Sequence, residues 1–274
     1  MERGIDLQYL LFILLIAGVG VLLYGWWDTN RFSVRRTQIE LERLPKAFDG
    51  FTILQVSDLH DRAYGRDGMA LERAIDSLSF DMVAMTGDLL DRHLPHRRRN
   101  GYACLEALKG KAPVYFVQGN HEWEIGNWEA TKAEISGHGA VVLDDERALL
   151  ARGSEQIDLC GIMEETSTEA IRDLVAPSRF ALLLAHHPER ITEYAQAGAD
   201  LVLSGHAHGG HVRLFGQGLF SPGQGILPRY TSGIYLQGKT TLYVSRGAGN
   251  HSFLPPRIFN RPEIDLITLK TPSR

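Results

Sequence analysis

Five short apolar runs in this chain each end in residues able to bind a metal ion. Phe51–Ser57 leads into Asp58-Leu59-His60, and Asp81–Thr86 into Gly87-Asp88. Pro113–Val117 leads into Gly119-Asn120-His121-Glu122, Phe180–Ala185 into His186, and Leu201–Leu203 into Gly205-His206-Ala207-His208. Short apolar, β-branched runs of this length read as buried strands. Between them lie stretches with helical spacing at Asp67–Leu78, Arg97–Leu108, Asn127–Ser136, Ser167–Val175 and Glu189–Ala197. Further strands are expected near Ala140–Leu143, Ala148–Leu150 and Gln156–Ile162, then at His211–Leu214, Gly233–Leu236, Thr241–Ser245 and Ile264–Leu269. The alternation predicts an α/β fold. In such folds the loops at the carboxyl ends of strands converge on one crevice, so Asp58 and His208 can meet there despite their separation in sequence.

The donors in these motifs are four imidazoles, two carboxylates and one carboxamide, with His121 beside them. Nitrogen and oxygen donors without a thiolate suit hard-to-borderline divalent ions. A pair of such ions is built for in-line attack on phosphorus. The two cysteines, Cys104 and Cys160, lie far apart and have no metal-like spacing, so they read as core or helix residues. With a net charge of −4, nothing in the composition suggests bulk nucleic-acid binding.

The N-terminus is of another kind. Leu7 to Trp27 carries no charge, and only Gln8 is strongly polar. As a helix this run spans roughly 31 Å, one hydrocarbon core. Tyr24, Trp26 and Trp27 stand at its far end, where amphipathic rings favour the interface. No Ala-x-Ala-like cleavage site follows, so residues 1–27 are expected to be a retained transmembrane anchor. Before the span, Arg3 is offset by Glu2 and Asp6; after it come Arg31, Arg35, Arg36, Arg43 and Lys46. The positive-inside rule then predicts a single-pass protein of the inner (cytoplasmic) membrane with its large domain in the cytoplasm. Residues 28–49 read as a basic connector and 50–274 as the catalytic domain.

The motif order Asp-x-His, Gly-Asp, Gly-Asn-His-Glu, His, Gly-His-x-His resembles the calcineurin-like metallophosphoesterase superfamily. The run Gly205-His206-Ala207-His208-Gly209-Gly210 with Tyr243-Val244-Ser245-Arg246-Gly247 resembles its bacterial, membrane-anchored branch, which contains a UDP-2,3-diacylglucosamine pyrophosphatase. The resemblance implies a four-layer αββα sandwich and two divalent ions, Mn²⁺ first, with Fe²⁺ or Zn²⁺ as alternatives. It implies that Asp58, His60 and His208 hold one ion, that Asn120, His186 and His206 hold the other, and that Asp88 bridges them. His121 would then serve the leaving group, with Asp91 orienting it.

Other residues keep open readings. Neighbours at a strand end face opposite ways, so one of His186 and His187 is expected to coordinate, and the resemblance selects His186. His211, where many relatives have glutamine, is either a first strand residue or a substrate contact. Arg92 heads the basic stretch 92–99 and is the candidate for gripping an anionic substrate group. The glycine-rich stretch Leu214–Leu236 either buries its apolar residues or offers them to acyl chains or the bilayer. The expected partners are the membrane and a lipid or nucleotide-linked lipid substrate, with no nucleic acid and no protein partner. The expected reaction is cleavage of UDP-2,3-diacylglucosamine to UMP and 2,3-diacylglucosamine 1-phosphate. A broader phosphodiesterase of phospholipids or small diesters is the alternative, and a non-catalytic metal-stabilised membrane scaffold is the reading from another class.

Overall fold

The computed structural model describes residues 7–175, 178–250 and 256–272. Glu2, Arg3 and Asp6, which entered the expectation about orientation, lie outside the described residues. Helix α1 (Leu7–Thr29) is long and apolar enough to cross a membrane, and its side chains up to Tyr24 are exposed. The chain continues through β1 (Ser33–Glu40), β2 (Thr52–Val56), α2 (Ala70–Asp76), β3 (Met82–Met85), α3 (Arg99–Leu108) and β4 (Val114–Phe116). Then come α4 (Asn120–Ile125), α5 (Trp128–Gly137), β5 (Ala140–Val142), β6 (Glu146–Arg152), β7 (Glu155–Gly161), α6 (Thr168–Leu174) and β8 (Ala181–Leu184). The last part holds α7 (Ile191–Ala197), β9 (Leu201–Ser204), β10 (Arg213–Leu214), β11 (Gln217–Gly218), β12 (Phe220–Ser221) and β13 (Gly225–Ile226). Three longer strands follow: β14 (Gly233–Gln237), β15 (Thr240–Val244) and β16 (Glu263–Lys270).

Two six-stranded sheets carry the fold, in the orders β1-β16-β2-β3-β4-β5 and β14-β15-β9-β8-β7-β6. Their inner faces pack together through Ile53, Met82 and Ile267 from one sheet and Leu159, Leu182 and Leu203 from the other. Alternation along β2 turns Leu54 and Val56 to the outer face, against Leu71 and Ile75 of α2 and Leu105 of α3. On the other sheet, Leu183 and Val202 face Ile171 of α6 and Tyr194 of α7. Helix, sheet, sheet, helix is the expected four-layer order. Buried Gln55 ties the sheets at the site end: its Nε2 donates to Thr86 Oγ1 and to the Ser204 carbonyl, each at 3.0 Å.

Two expectations need correcting. The folded unit begins before residue 50, because Ser33–Glu40 within the supposed connector pairs in parallel along all of β16. At a sheet edge such a strand needs little apolar sequence, so no hydrophobic run announced it. His211 is not a strand residue. It is buried, with φ +55° and ψ −63°, at the end of a turn, and the strand starts at Arg213.

Candidate metal centre

Asp58, His60, Asp88, Asn120, His186, His206 and His208 all lie at the carboxyl ends of β2, β3, β4, β8 and β9. Five of them hold left-handed backbone angles: Asp58 (φ +51°), His60 (+50°), Asp88 (+54°), His206 (+63°) and His208 (+46°). Each such angle costs a non-glycine residue on the order of 1–3 kcal/mol and persists where surrounding structure enforces it. The glycines of the motifs supply close approach. A Cβ on Gly87 (φ +91°) would lie 2.7 Å from the Gly119 Cα, and one on Gly205 would lie 1.9 Å from Ser57 Oγ.

The donors converge in two groups that share Asp88. Asp58, His60, Asp88 and His208 form one; Asp88, His186 and His206 form the other. In the first, His60 Nε2 and His208 Nε2 are 3.1 Å apart, and Asp58 Oδ1 is 3.5 Å from His208 Nε2. In the second, His186 Nε2 lies 3.2 Å from Asp88 Oδ2, from Asn120 Oδ1 and from His206 Nδ1. A cation about 2.1 Å from each donor sets neighbouring donors roughly 3–4 Å apart, so this donor set fits two divalent ions. The electrostatics agree. Burial, reinforced by neighbouring cations, holds His206 and His208 well below the ordinary imidazole range, so both are neutral with lone pairs to give. Burial opposes ionisation of Asp88, yet the imidazoles of His186, His121 and His60 hold its carboxyl well below the usual range.

A layer of hydrogen bonds behind the donors fixes them. Ser57 Oγ donates to Asp58 Oδ2 at 2.6 Å, and the His206 amide donates to the same carboxylate at 3.0 Å. Buried Glu122 accepts from the amides of Asp88 (2.9 Å), Leu90 (2.9 Å) and Gly119 (3.0 Å) and so shapes both turns. Burial and the adjacent Asp88 push its pKa up to about 7. Fully buried Arg257 donates to His208 Nδ1 at 2.8 Å and to the carbonyls of Arg246 and Gly249, turning Nε2 of that ring toward His60. Burial lowers its pKa to about 10. Glu122 stood in a quoted motif without a role. Arg257 had no sequence signal, since its contacts are made only in the tertiary fold.

His121 lies against the first group, its ring 4.3 Å from that of His60, and its amide donates to Asp88 Oδ1 at 2.8 Å. Its Nδ1 accepts the Arg92 amide at 3.1 Å and stands 3.5 Å from Asp91 Oδ1. Nδ1 is therefore engaged by the 91–92 turn. Burial opposes protonation, but Asp88 and Asp91 raise His121 above its ordinary value. Arg92 pairs with Glu124 at the crevice rim. His187 is bonded between Glu164 (2.6 Å) and Glu189 (2.9 Å), and with Glu189 and His206 it makes a third, half-buried group of possible donors that does not include Asp88. Of the remaining basic stretch, Arg98 pairs with Glu134 at 2.5 Å. The crevice over the donors has a volume of about 440 Å³ and is lined by Asp88, Arg92, Asn120, His121, His206 and Phe220, among others. A cavity of similar size, about 420 Å³, lies at the opposite strand ends against Asp200 and Lys239 and gathers no comparable donor set.

The sequence profile of the calcineurin-like phosphoesterases matches residues 51–210, which contain every donor of both groups. The chain belongs to this calcineurin-like phosphoesterase family. The uncharacterized metallophosphoesterase YkuE of Bacillus subtilis is 29% identical over 94% of this chain and 92% of its own length. A transmembrane protein with metallophosphoesterase domain from Bos taurus is also 29% identical, over 87% of this chain and 57% of that protein. Among solved structures, the sulfate thiohydrolase SoxB of Thermus thermophilus overlays with a TM-score of 0.50 at 15% identity, covering 83% of this chain and 57% of that one. That likeness speaks to the fold. As a calcineurin-like phosphoesterase with converging donors, the protein is a metal-dependent phosphoester hydrolase.

Proposed function

We propose that this hydrolase is anchored in the inner membrane by α1 and cleaves a lipid-linked phosphodiester or pyrophosphate on the cytoplasmic side. The observation that carries the two-metal reading is Asp88, which belongs to both donor groups. Asp58, His60 and His208 would hold one Mn²⁺; Asn120, His186 and His206 the other; Asp88 would bridge. Bound there, the two ions would supply Lewis-acid charge and a nucleophile generated from water. The chain's own groups do the rest. His121, with Nδ1 engaged by the 91–92 turn, presents Nε2 to protonate the leaving oxygen. Asp91, 3.5 Å from Nδ1, orients that ring, and its charge favours the imidazolium in which Nδ1 gives up the Arg92 amide and turns its proton to Asp91. Arg92, at the rim, can exchange Glu124 for a substrate phosphoryl oxygen.

Three observations support a lipid-linked substrate: the apolar α1, the packing of its end against the segment that carries Arg257, and the bovine relative described as a transmembrane protein. The sharpest substrate is UDP-2,3-diacylglucosamine, hydrolysed to UMP and 2,3-diacylglucosamine 1-phosphate in lipid A synthesis. Incubating the Mn²⁺-loaded full chain with this compound, beside Asp88→Ala, and analysing products by mass spectrometry tests it. Both products from the wild type only are expected. No cleavage would reject this substrate and turn the search to phospholipids and simple diesters.

A further inference from the structure

We propose that the loops from Leu214 to Leu227, together with Phe259, form a second membrane contact: an apolar pad that beds the rim of the metal crevice into an anionic lipid surface beside α1. The inference rests on reading α1 as a membrane anchor. Phe215 is fully exposed at the tip joining β10 to β11, and Ile226 at the end of β13 and Leu227 just after it are 82% and 64% exposed. Exposure alone would be unremarked on a protein surface, but the backbone adds a second constraint. Phe215, Leu227 and Phe259 have φ of +50°, +53° and +52°. Glycine or asparagine fills such positions at little cost, whereas bulky side chains there are outliers. The chain thus places large apolar groups, in strained backbone, at turn tips facing outward.

These tips are continuous with the end of α1. The Arg213 amide donates to the Ile258 carbonyl at 3.0 Å, and Gln217 Nε2 donates to the Pro228 carbonyl at 2.9 Å, which joins the two loops and the 256–261 segment. That segment packs on the helix. A Cβ on Gly25 would lie 3.0 Å from the Arg257 carbonyl oxygen, and the rings of Tyr24 and Phe259 are 5.2 Å apart. Tyr24 stands where α1 would leave the hydrocarbon, so Phe259, touching it, sits at interfacial depth. Charge selects the occupant. From Leu201 to Pro262 the sequence has no Asp or Glu. Of its basic residues, Arg257 is buried on His208, Lys239 lies at the opposite strand ends, and Arg246 and Arg261 pair with Glu263 and Asp28, so the charge beside the pad comes from Arg213 and Arg229. Exposed Arg229 and Arg31 flank the pad and the helix end, as basic groups do beside anionic headgroups. Phe220 and Pro222 of the same loops line the crevice. A substrate headgroup would therefore reach the metals from the lipid side without leaving the interface.

The test uses the full chain, whose native Cys104 and Cys160 are buried and spared by thiol labelling. Phe215→Cys, Ile226→Cys, Trp27→Cys and, as a distant exposed control on β6, Leu149→Cys would each carry an environment-sensitive fluorophore. The proteins would be reconstituted in phosphatidylethanolamine–phosphatidylglycerol vesicles containing spin-labelled lipid. Quenching at positions 215 and 226 several-fold stronger than at 149, and comparable to that at 27, is expected. Quenching at 27 with positions 215 and 226 no different from 149 overturns the pad and leaves the anchor standing. No quenching at 27 overturns the anchor reading, and the pad with it.

Discussion

Ser57→Ala should weaken one metal position and spare the other. Ser57 is buried and its hydroxyl donates to Asp58 Oδ2 at 2.6 Å, while its next contact, the Thr86 carbonyl, is 3.4 Å away. The substitution removes one oxygen and leaves Asp58 bonded to the His206 amide. A hydrogen bond to a charged group contributes about 1.5–3 kcal/mol. At about 1.4 kcal/mol per tenfold, that is roughly 10–100-fold in affinity for the ion held by Asp58, in line with typical losses for partners behind a ligand. The same bond opposes the upward push of burial on Asp58, so its loss also makes a proton a stronger competitor for the ligand. The second group meets Ser57 only through the Thr86 carbonyl, which His186 Nδ1 holds at 2.7 Å and to which Ser57 makes the longer 3.4 Å contact. Calorimetric titration of the metal-free protein with Mn²⁺ should resolve two binding events in the wild type, with the variant weakened in only one. Unchanged affinities, or equal loss at both positions, would refute the assignment of Asp58 to one of two separable positions.

His121→Ala should lower turnover by about 10²–10⁴-fold, the usual scale for a general acid, while both ions still bind; turnover against metal stoichiometry checks this. Gly87→Ala should abolish metal loading and lower the melting temperature, because the new Cβ meets the Gly119 backbone at 2.7 Å at a φ of +91°. A fully loaded, wild-type-like variant would contradict it. Asp265 is fully buried, and burial with Glu263 beside it raises its pKa to about 7, above the ordinary 3.8. A group raised on folding contributes stability below its unfolded pKa and loses it as pH rises through the folded value. Asp265→Asn should therefore gain in melting temperature relative to wild type from pH 5 to pH 8, which thermal melts at the two pH values would check.

The sandwich and the donor set were legible because both leave local marks. An apolar run ending in Asp58-Leu59-His60 or Gly205-His206 announces a buried strand and its functional end together. The grouping of donors around Asp88 is a tertiary fact that the motifs implied only through resemblance. What stayed hidden depends on contacts distant in sequence. The β1 strand is held by pairing with β16 rather than by its own hydrophobicity. Arg257 acts on His208 from a separate loop. Helix α4 begins at Asn120 inside a motif read for its ligands, and Glu122 serves as its first-turn acid while binding three amides. His211 follows Gly209 and Gly210 in a turn whose three residues all have positive φ, a conformation the tertiary fold imposes on a histidine and that no local apolar pattern marks.

The most direct test of the account is anomalous diffraction at the manganese edge from crystals grown with Mn²⁺. The account predicts two peaks about 3.5–4 Å apart, one between Asp58, His60 and His208 and one between Asn120, His186 and His206, with Asp88 reaching both. A single peak, or peaks outside these residues, would contradict a two-metal hydrolase built on Asp88.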